Sequence, residues 1–155
     1  MPVMPVPSAL DTSLVISDLK HRRRESALAE MVTRAAEAGA VRSPSAVLDL
    51  IAARETLVGS ALGRSTALAA VRSLAVTEAR LVVGRSRRGI SWGAADEEPV
   101  RLVALLLSPA DRALPHHLDS IVRIAALLRH ARGRDRLLHA ESPDDFAVRV
   151  REALS

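Results

Sequence analysis

The sequence contains no cysteine and no tyrosine, and it has one tryptophan and one phenylalanine. Without cysteine, disulfide bonds and thiolate metal sites are excluded. Aromatic residues make up only 1% of the chain, so its core has to be built from leucine, valine, alanine and isoleucine. Trp92 and Phe146 lie far apart in sequence. They offer little of the stacking surface with which proteins hold single-stranded nucleic acid.

Long apolar runs are also missing, since no stretch reaches the ~18 residues that a membrane-spanning helix needs. Residues 1–7 alternate proline with small apolar residues, and they lack the charged and long apolar parts of a signal peptide. The 155 residues fit one domain. We therefore predict a flexible proline-rich arm over residues 1–9, a domain over residues 10–155, and a cytoplasmic location.

Lysine is nearly absent, because Lys20 is the one lysine among 22 basic residues and the rest are arginines. Such a bias is typical of a GC-rich coding sequence, so the net charge of +4 is weak evidence for a polyanionic partner. Two basic clusters stand out, at residues 21–24 and at Arg85, Arg87 and Arg88. We predict solvated charge at a helix start and in a turn, with contact to an acidic protein or to phosphates as the alternative.

The first half of the domain is predicted to hold one strand and two helices. The apolar run Leu14 to Ile16 indicates a strand, and apolar residues at helical spacing predict a helix over about 22–38 that Gly39 ends. A second helix begins at Ser43-Pro44, since serine caps a helix and proline is tolerated at its first position. Arg54 and Glu55 fall on the last turn of this helix.

The second half is predicted to hold the strands of the core. Residues 74–84 indicate a strand, residues 86–89 a turn, and residues 100–107 a central strand that is buried on both faces. Three helices follow, the first opening at Pro115, a short one around Leu137, and the last one running from the cap Ser142 to about residue 154. The first of these shows three-four spacing at Leu118, Ile121, Val122, Ala125 and Leu128.

One stretch, RETLVGSALGRSTALAAVRS over residues 54–73, suggests a family. It places an Arg-Glu pair at a helix end, then Gly59 and Gly63, then a run of small apolar residues. It resembles the fructose/mannitol-type enzyme IIA domain of the bacterial phosphotransferase system, including its nitrogen-regulatory branch. The stretches Gly89-Ile90-Ser91-Trp92 and His117-Leu118 match the same family, and the resemblance covers nearly the whole chain from about residue 10.

The resemblance implies an α+β fold, with three α/β/α layers and a small mixed sheet of about four main strands flanked by helices. It also implies that the family's phosphorylatable histidine falls on Ala70. A methyl group cannot attack a phosphoryl donor, so we expect no catalytic residue, with His117 or His116 as the fallback nucleophile. The vestigial pocket would hold Arg54, Glu55, Ala70 and His117. The partner-binding face would hold Arg54, Ala70, Arg72 and His117.

Three functions follow as hypotheses. The first is a degenerate enzyme IIA-like regulatory or structural module that binds another protein. The second is a working phosphocarrier that uses His117 or His116. The third is a basic nucleic-acid-associated protein, which the missing aromatics and motifs disfavour. We expect no cofactor and no metal, because adjacent histidines on a helix point about 100° apart and the other histidines and acids do not show metal-ligand spacing.

Overall fold

A five-stranded sheet with five helices forms the protein, in a computed structural model that describes residues 13–155. The arm predicted for residues 1–9 lies outside the described residues. The strands are β1 (Leu14–Ile16), β2 (Ala61–Gly63), β3 (Thr66–Ser73), β4 (Arg80–Ile90) and β5 (Val100–Pro109). The helices are α1 (Arg24–Glu37), α2 (Pro44–Leu57), α3 (Leu114–Arg129), α4 (Ala131–Leu138) and α5 (Pro143–Leu154).

The strand order is β1-β4-β5-β3-β2, which makes β5 the central strand. β5 runs parallel to β3 and antiparallel to β4, so the sheet is mixed. β1 and β2 are short strands at the two edges. Because β2 is three residues long and pairs only with the start of β3, no strand of the described chain lies beside residues 69–73 on that edge.

The helices cover both faces of the sheet and enclose two apolar cores. Leu105 of β5 belongs to the core shared with α1 and α2, and Leu106 to the core shared with α3, α4 and α5. Both leucines are fully buried. The three-layer α+β fold and a central strand buried on both faces are therefore confirmed. The sheet has five strands rather than about four main ones because the short β2 adds to its edge.

The predicted helix signals act as expected. The Ser43 hydroxyl accepts a hydrogen bond from the backbone N–H of Ala46, and Pro44 is the first residue of α2. The Ser142 hydroxyl accepts one from Asp145 in the same way at the start of α5. Such caps satisfy N–H groups that a helix cannot pair internally. No helix within residues 13–155 is both long enough and apolar enough to cross a bilayer.

Two predictions, one of a strand and one of a turn, were wrong. The strand predicted over residues 74–84 begins only at Arg80, and Leu74 lies in a turn with 81% of its surface exposed. The turn predicted over residues 86–89 is part of β4, because the register against β5 shifts between Arg85 and Ile90 and accommodates the extra residues. Gly89, at a φ of +87°, takes the left-handed conformation that this bulge requires.

Helix α3 buries only part of the face that its apolar spacing marks, because Leu128 is buried and Ile121 packs against the core, whereas other marked residues stay exposed. The buried residues are His117, Ser120, Ile124 and Leu128. Leu118 and Val122 are instead 49% and 66% exposed. The buried polar atoms are satisfied, since Ser120 donates to the carbonyl of His116 and Ser108 bonds His117. An apolar stripe therefore stays on the surface.

Candidate functional site

Ala70 lies on the open edge of β3, half-buried and facing the layer of α3. Side chains alternate along a strand, and Ala69 and Val71 pack into the core under α1 and α2, whereas Leu68 and Ala70 pack against the core under α3. Arg72 follows on the same face as Ala70. The face toward α3 thus presents a methyl group between a leucine and an arginine.

The Arg-Glu pair at the end of α2 divides its roles. Both carboxylate oxygens of Glu55 accept from the backbone N–H of Ser60, at 3.2 and 3.1 Å. Glu55 thereby ties the end of α2 to the loop that leads into β2. Arg54 is exposed and has no ion-pair partner within residues 13–155. Glu55 is therefore a structural residue in this arrangement, and Arg54 is available to a ligand.

A network around Glu55 was missed by sequence reasoning. Trp92 donates from its indole N–H to the Ser60 hydroxyl at 2.9 Å, and it is 2% exposed. Arg24 donates to the backbone carbonyl of Trp92 at 2.9 Å and lies 3.7 Å from Glu55. The pairings join residues that are far apart in sequence, so no local pattern indicates them. Arg24, from the first basic cluster, is thus tied to the fold by its bonds while its side chain stays 30% exposed.

Arg72 reaches across the end of the sheet to the start of α3. One terminal nitrogen donates to the carbonyls of Ala110 and Arg112, at 3.1 and 2.7 Å. Its buried Nε has no partner among the described residues. Arg72 therefore anchors the loop between β5 and α3 and also contributes positive charge beside Ala70.

His117 lies in the first turn of α3, 6% exposed, with its Nδ1 2.7 Å from the Ser108 hydroxyl. Burial, and then the nearby charges of Arg72, Arg54 and Arg112, lower the pKa of His117 below its usual 6.5. No side chain of the described residues caps the start of α3, and the positive end of the helix disfavours an imidazolium. The ring is therefore neutral near pH 7. His116, beside it, is exposed.

A cleft of 280 Å³ opens beside Ala70, between the end of α2, the edge of β3 and α3. We call it the Ala70 cleft. Its lining is mainly apolar and includes Val58, Leu62, Leu68, Ala70, Ile121 and Ala125. Arg54 and Arg129 also line it, and both are exposed. The geometry thus combines an apolar interior with guanidinium groups at the opening.

The structure brings Arg54, Ala70, Arg72 and His117 to one side of the sheet, with Glu55 turned to the loop. It does not bring the basic cluster at residues 85–88 there. Arg85, predicted to be solvated, is 2% exposed inside β4, while Arg87 and Arg88 are exposed. No group of three or more histidine or carboxylate side chains in the described part of the chain is placed to hold a metal ion.

Comparison with known proteins adds family information to this geometry. The family model described as "Phosphoenolpyruvate-dependent sugar phosphotransferase system, EIIA 2" matches residues 8–152. A nitrogen regulatory protein of Bradyrhizobium diazoefficiens is 31% identical over 126 residues, which is 81% of each chain. The fructose-specific EIIABC component of Bacillus subtilis is 26% identical over 141 residues. That match includes 91% of this chain, but it spans only 22% of the length of the EIIABC component.

Solved structures show the same fold. The nitrogen regulatory protein IIA-Ntr of Neisseria meningitidis superposes with a TM-score of 0.79 at 26% identity, covering 94% of both chains. The mannitol enzyme IIA of Escherichia coli, solved as a complex with phosphorylated enzyme IIB, superposes with a TM-score of 0.69 over 88% of this chain and 92% of that chain. Its identity is 19%, so this second likeness concerns the fold alone.

Proposed function

We propose that this chain, which belongs to the EIIA 2 family of the phosphoenolpyruvate-dependent sugar phosphotransferase system, is a IIA-type regulatory module that binds another protein without carrying a phosphoryl group. The similarity to nitrogen regulatory proteins supports the regulatory part. The observation that carries the proposal is Ala70, which, by the resemblance of residues 54–73 to the family's pattern, falls where the family has its phosphorylatable histidine, and which faces the layer that holds His117.

The chemistry around Ala70 supports the absence of phosphoryl transfer. Attack on a phosphoryl donor needs a lone pair, which a methyl group lacks. The adjacent Arg72 is a cation at neutral pH and therefore no nucleophile. Ser108 bonds His117 but is 1% exposed, so a phosphoryl donor has no access to its hydroxyl. The charges that remain are suited to binding.

The proposed interface is the face that carries Arg54, Ala70, Arg72 and His117. The mannitol enzyme IIA named above was solved with a protein partner, and we extend protein binding to this chain on the strength of the shared fold. Small residues at the centre permit close approach by a partner, and arginine is enriched among the residues that dominate binding energy. A cytoplasmic location is part of the same proposal.

A working phosphocarrier is the second candidate, and one observation favours it. His117 has a lowered pKa, so its ring is neutral at pH 7, as a nucleophilic imidazole has to be. Against it, His117 is 6% exposed, and its Nδ1 is occupied by Ser108. His116 is exposed, which gives a donor access to it.

Incubation with a complete phosphoenolpyruvate-dependent phosphoryl chain, followed by intact-mass measurement, tests the proposal. We expect no mass change. An acid-labile gain of one phosphoryl group would favour the phosphocarrier instead. Loss of that gain in His117→Ala but not in His116→Ala would assign the second candidate to His117, and the reverse pattern would assign it to His116.

A further inference from the structure

Two exposed apolar pairs, one at the end of α2 and one on α3, adjoin residues that line the Ala70 cleft, and we call these pairs its lips. On the α2 side, Leu57 and Val58 are 83% and 75% exposed. On the α3 side, Leu118 and Val122 are 49% and 66% exposed. Residues three and four apart on a helix are neighbours, so this second pair continues the stripe of Ile121 and Ala125 that lines the cleft. Contiguous exposed apolar surface of this kind marks an interaction site.

Positive charge lies beside these lips, and no carboxylate of residues 13–155 forms an ion pair with it. Arg54 and Arg129 line the cleft, and neither has an ion-pair partner in residues 13–155. Glu55 is the one carboxylate of the lining. Its oxygens accept from Ser60 and face Arg24. A ligand with an acidic group next to an apolar group would complement this arrangement.

We propose that the Ala70 cleft receives one bulky apolar side chain of a protein partner, from a segment in which aspartate or glutamate flanks that side chain. The inference rests on the proposed protein-binding function and specifies its partner. A central pocket filled by an anchor side chain, surrounded by contacts that exclude water, is the arrangement found at binding hot spots. In this chain Ala70 leaves room for the anchor, and the exposed lips seal it.

A second copy of the chain is a poor occupant for the cleft. A two-fold interface pairs the same surface patch of both subunits. Arg54 and Arg129 of both copies would then be brought together on that one patch, and like charges held close to each other oppose association. The charge on this face therefore favours an acidic segment of a different protein.

Selection of random linear peptides displayed on phage against the full chain tests the proposal. We expect enrichment of peptides that carry a leucine, methionine, phenylalanine or tryptophan between acidic residues. Replacing the anchor residue of a selected synthetic peptide by alanine, or its acids by lysine, is expected to weaken binding about tenfold or more. Enrichment of basic peptides, or of no common pattern, would overturn the proposal.

Two pairs of variants locate the binding. Ala125→Trp fills the Ala70 cleft, whereas Ala153→Trp fills a separate cleft, also of 280 Å³, beside α5. Arg54→Glu reverses a charge at the cleft, whereas Arg88→Glu reverses an exposed charge on β4. We expect the first member of each pair to lose peptide binding about tenfold and the second to keep it. If Ala125→Trp and the parent bind the peptide equally well, the proposal that an anchor side chain enters the Ala70 cleft is wrong.

The outcome separates this inference from the proposed function. If the selected peptide still binds Ala125→Trp but no longer binds Arg54→Glu, protein binding through this face stands and the anchor is rejected. If the chain takes up a phosphoryl group, the proposed function fails whatever peptides are selected. Unchanged thermal melting of Ala125→Trp is the control for folding.

Discussion

Arginines near the two ends of the central strand differ in their exposure to solvent. Arg85 pairs in register with Leu102 near the start of β5, and Arg72 pairs with Ser108 near its end. Arg85 is 2% exposed, whereas Arg54, near Arg72, is exposed and without an ion-pair partner in the described chain. One end of the sheet, the sealed end, encloses the charge of Arg85, whereas at the other, open end Arg72 is held by the carbonyls of Ala110 and Arg112 and Arg54 stays open to a ligand.

The sealed end shows how a buried cation is accommodated without an ion pair to a carboxylate of residues 13–155. Arg85 donates to the carbonyl of Ser17 at 2.9 Å and to that of Ala140 at 2.7 Å, and its guanidinium lies 4.8 Å from the Phe146 ring centre. Carbonyls at the end of a helix carry partial negative charge, and an aromatic face attracts a cation. The difference from the open end separates a structural arginine from Arg54, which we propose binds a partner.

The largest expected effect tests the sealed end. Arg85→Ala removes these hydrogen bonds, leaves the carbonyl of Ala140 without its donor and creates a cavity beside Phe146. We expect it to lower the free energy of unfolding by about 3–5 kcal/mol. Arg87→Ala, whose side chain is exposed on the same strand, should change it by no more than about 0.5 kcal/mol. Denaturant melts of both variants measure this difference. Equal free energies of unfolding for Arg85→Ala and Arg87→Ala would contradict a structural role for Arg85.

The central strand β5 provides the second test, which concerns the packing of the two cores. Leu105 and Leu106 are fully buried in different cores. Each leucine-to-alanine change should cost about 2–5 kcal/mol, because it removes transfer energy and leaves a cavity. If chemical denaturation shows one variant as stable as the parent, the core on that face of β5 is less tightly packed than described.

Much of this fold is predictable from the sequence because its signals are local. Ser43 and Pro44 mark the start of α2 within a few residues, and the apolar run of β5 marks a strand with two buried faces. The position of Arg85 is different. The sequence Arg-Ser-Arg-Arg-Gly is typical of a turn, and the carbonyls that bury Arg85 lie 52 and 55 residues away. Only the assembled fold brings them together.

The candidate site was predictable in part for the same reason. Arg54 and Glu55 at a helix end follow from local pattern, but the partners Arg24 and Trp92 do not. Spacing in α3 allows two adjacent stripes, and apolar content favours the stripe of Leu118 and Val122. The fold buries the neighbouring stripe of His117, Ser120 and Ile124, in which Ser108 of β5 satisfies the His117 ring. The exposed apolar lip of the cleft is the result.

The open end should respond to pH through His117. Its pKa in the folded chain is lowered from 6.5 by burial and by Arg72, Arg54 and Arg112. Above 6.5 the ring is neutral in both states. As the pH falls through 6.5, the unfolded chain binds a proton that the folded chain does not, so the free energy of unfolding decreases until the lower folded pKa is reached.

Urea melts at a series of pH values measure this dependence. We expect His117→Asn to reduce the loss of stability between neutral and mildly acidic pH. His116→Asn, an exposed neighbour on the same turn, should show the slope of the parent. Identical slopes for the parent and both variants would mean that the surroundings of His117 do not hold its ring neutral.

The smallest expected effect on stability is at Arg54, and it sharpens the comparison most. Arg54 is exposed without an ion-pair partner in residues 13–155, so Arg54→Ala should change the free energy of unfolding by no more than about 0.5 kcal/mol. The same change should weaken partner binding, because it removes a charge beside the Ala70 cleft. Measuring unfolding and binding on the same preparations separates the two roles. A variant that loses stability but keeps binding would place Arg54 with Arg85 among the structural arginines, and the open end of the sheet would then no longer differ from the sealed one.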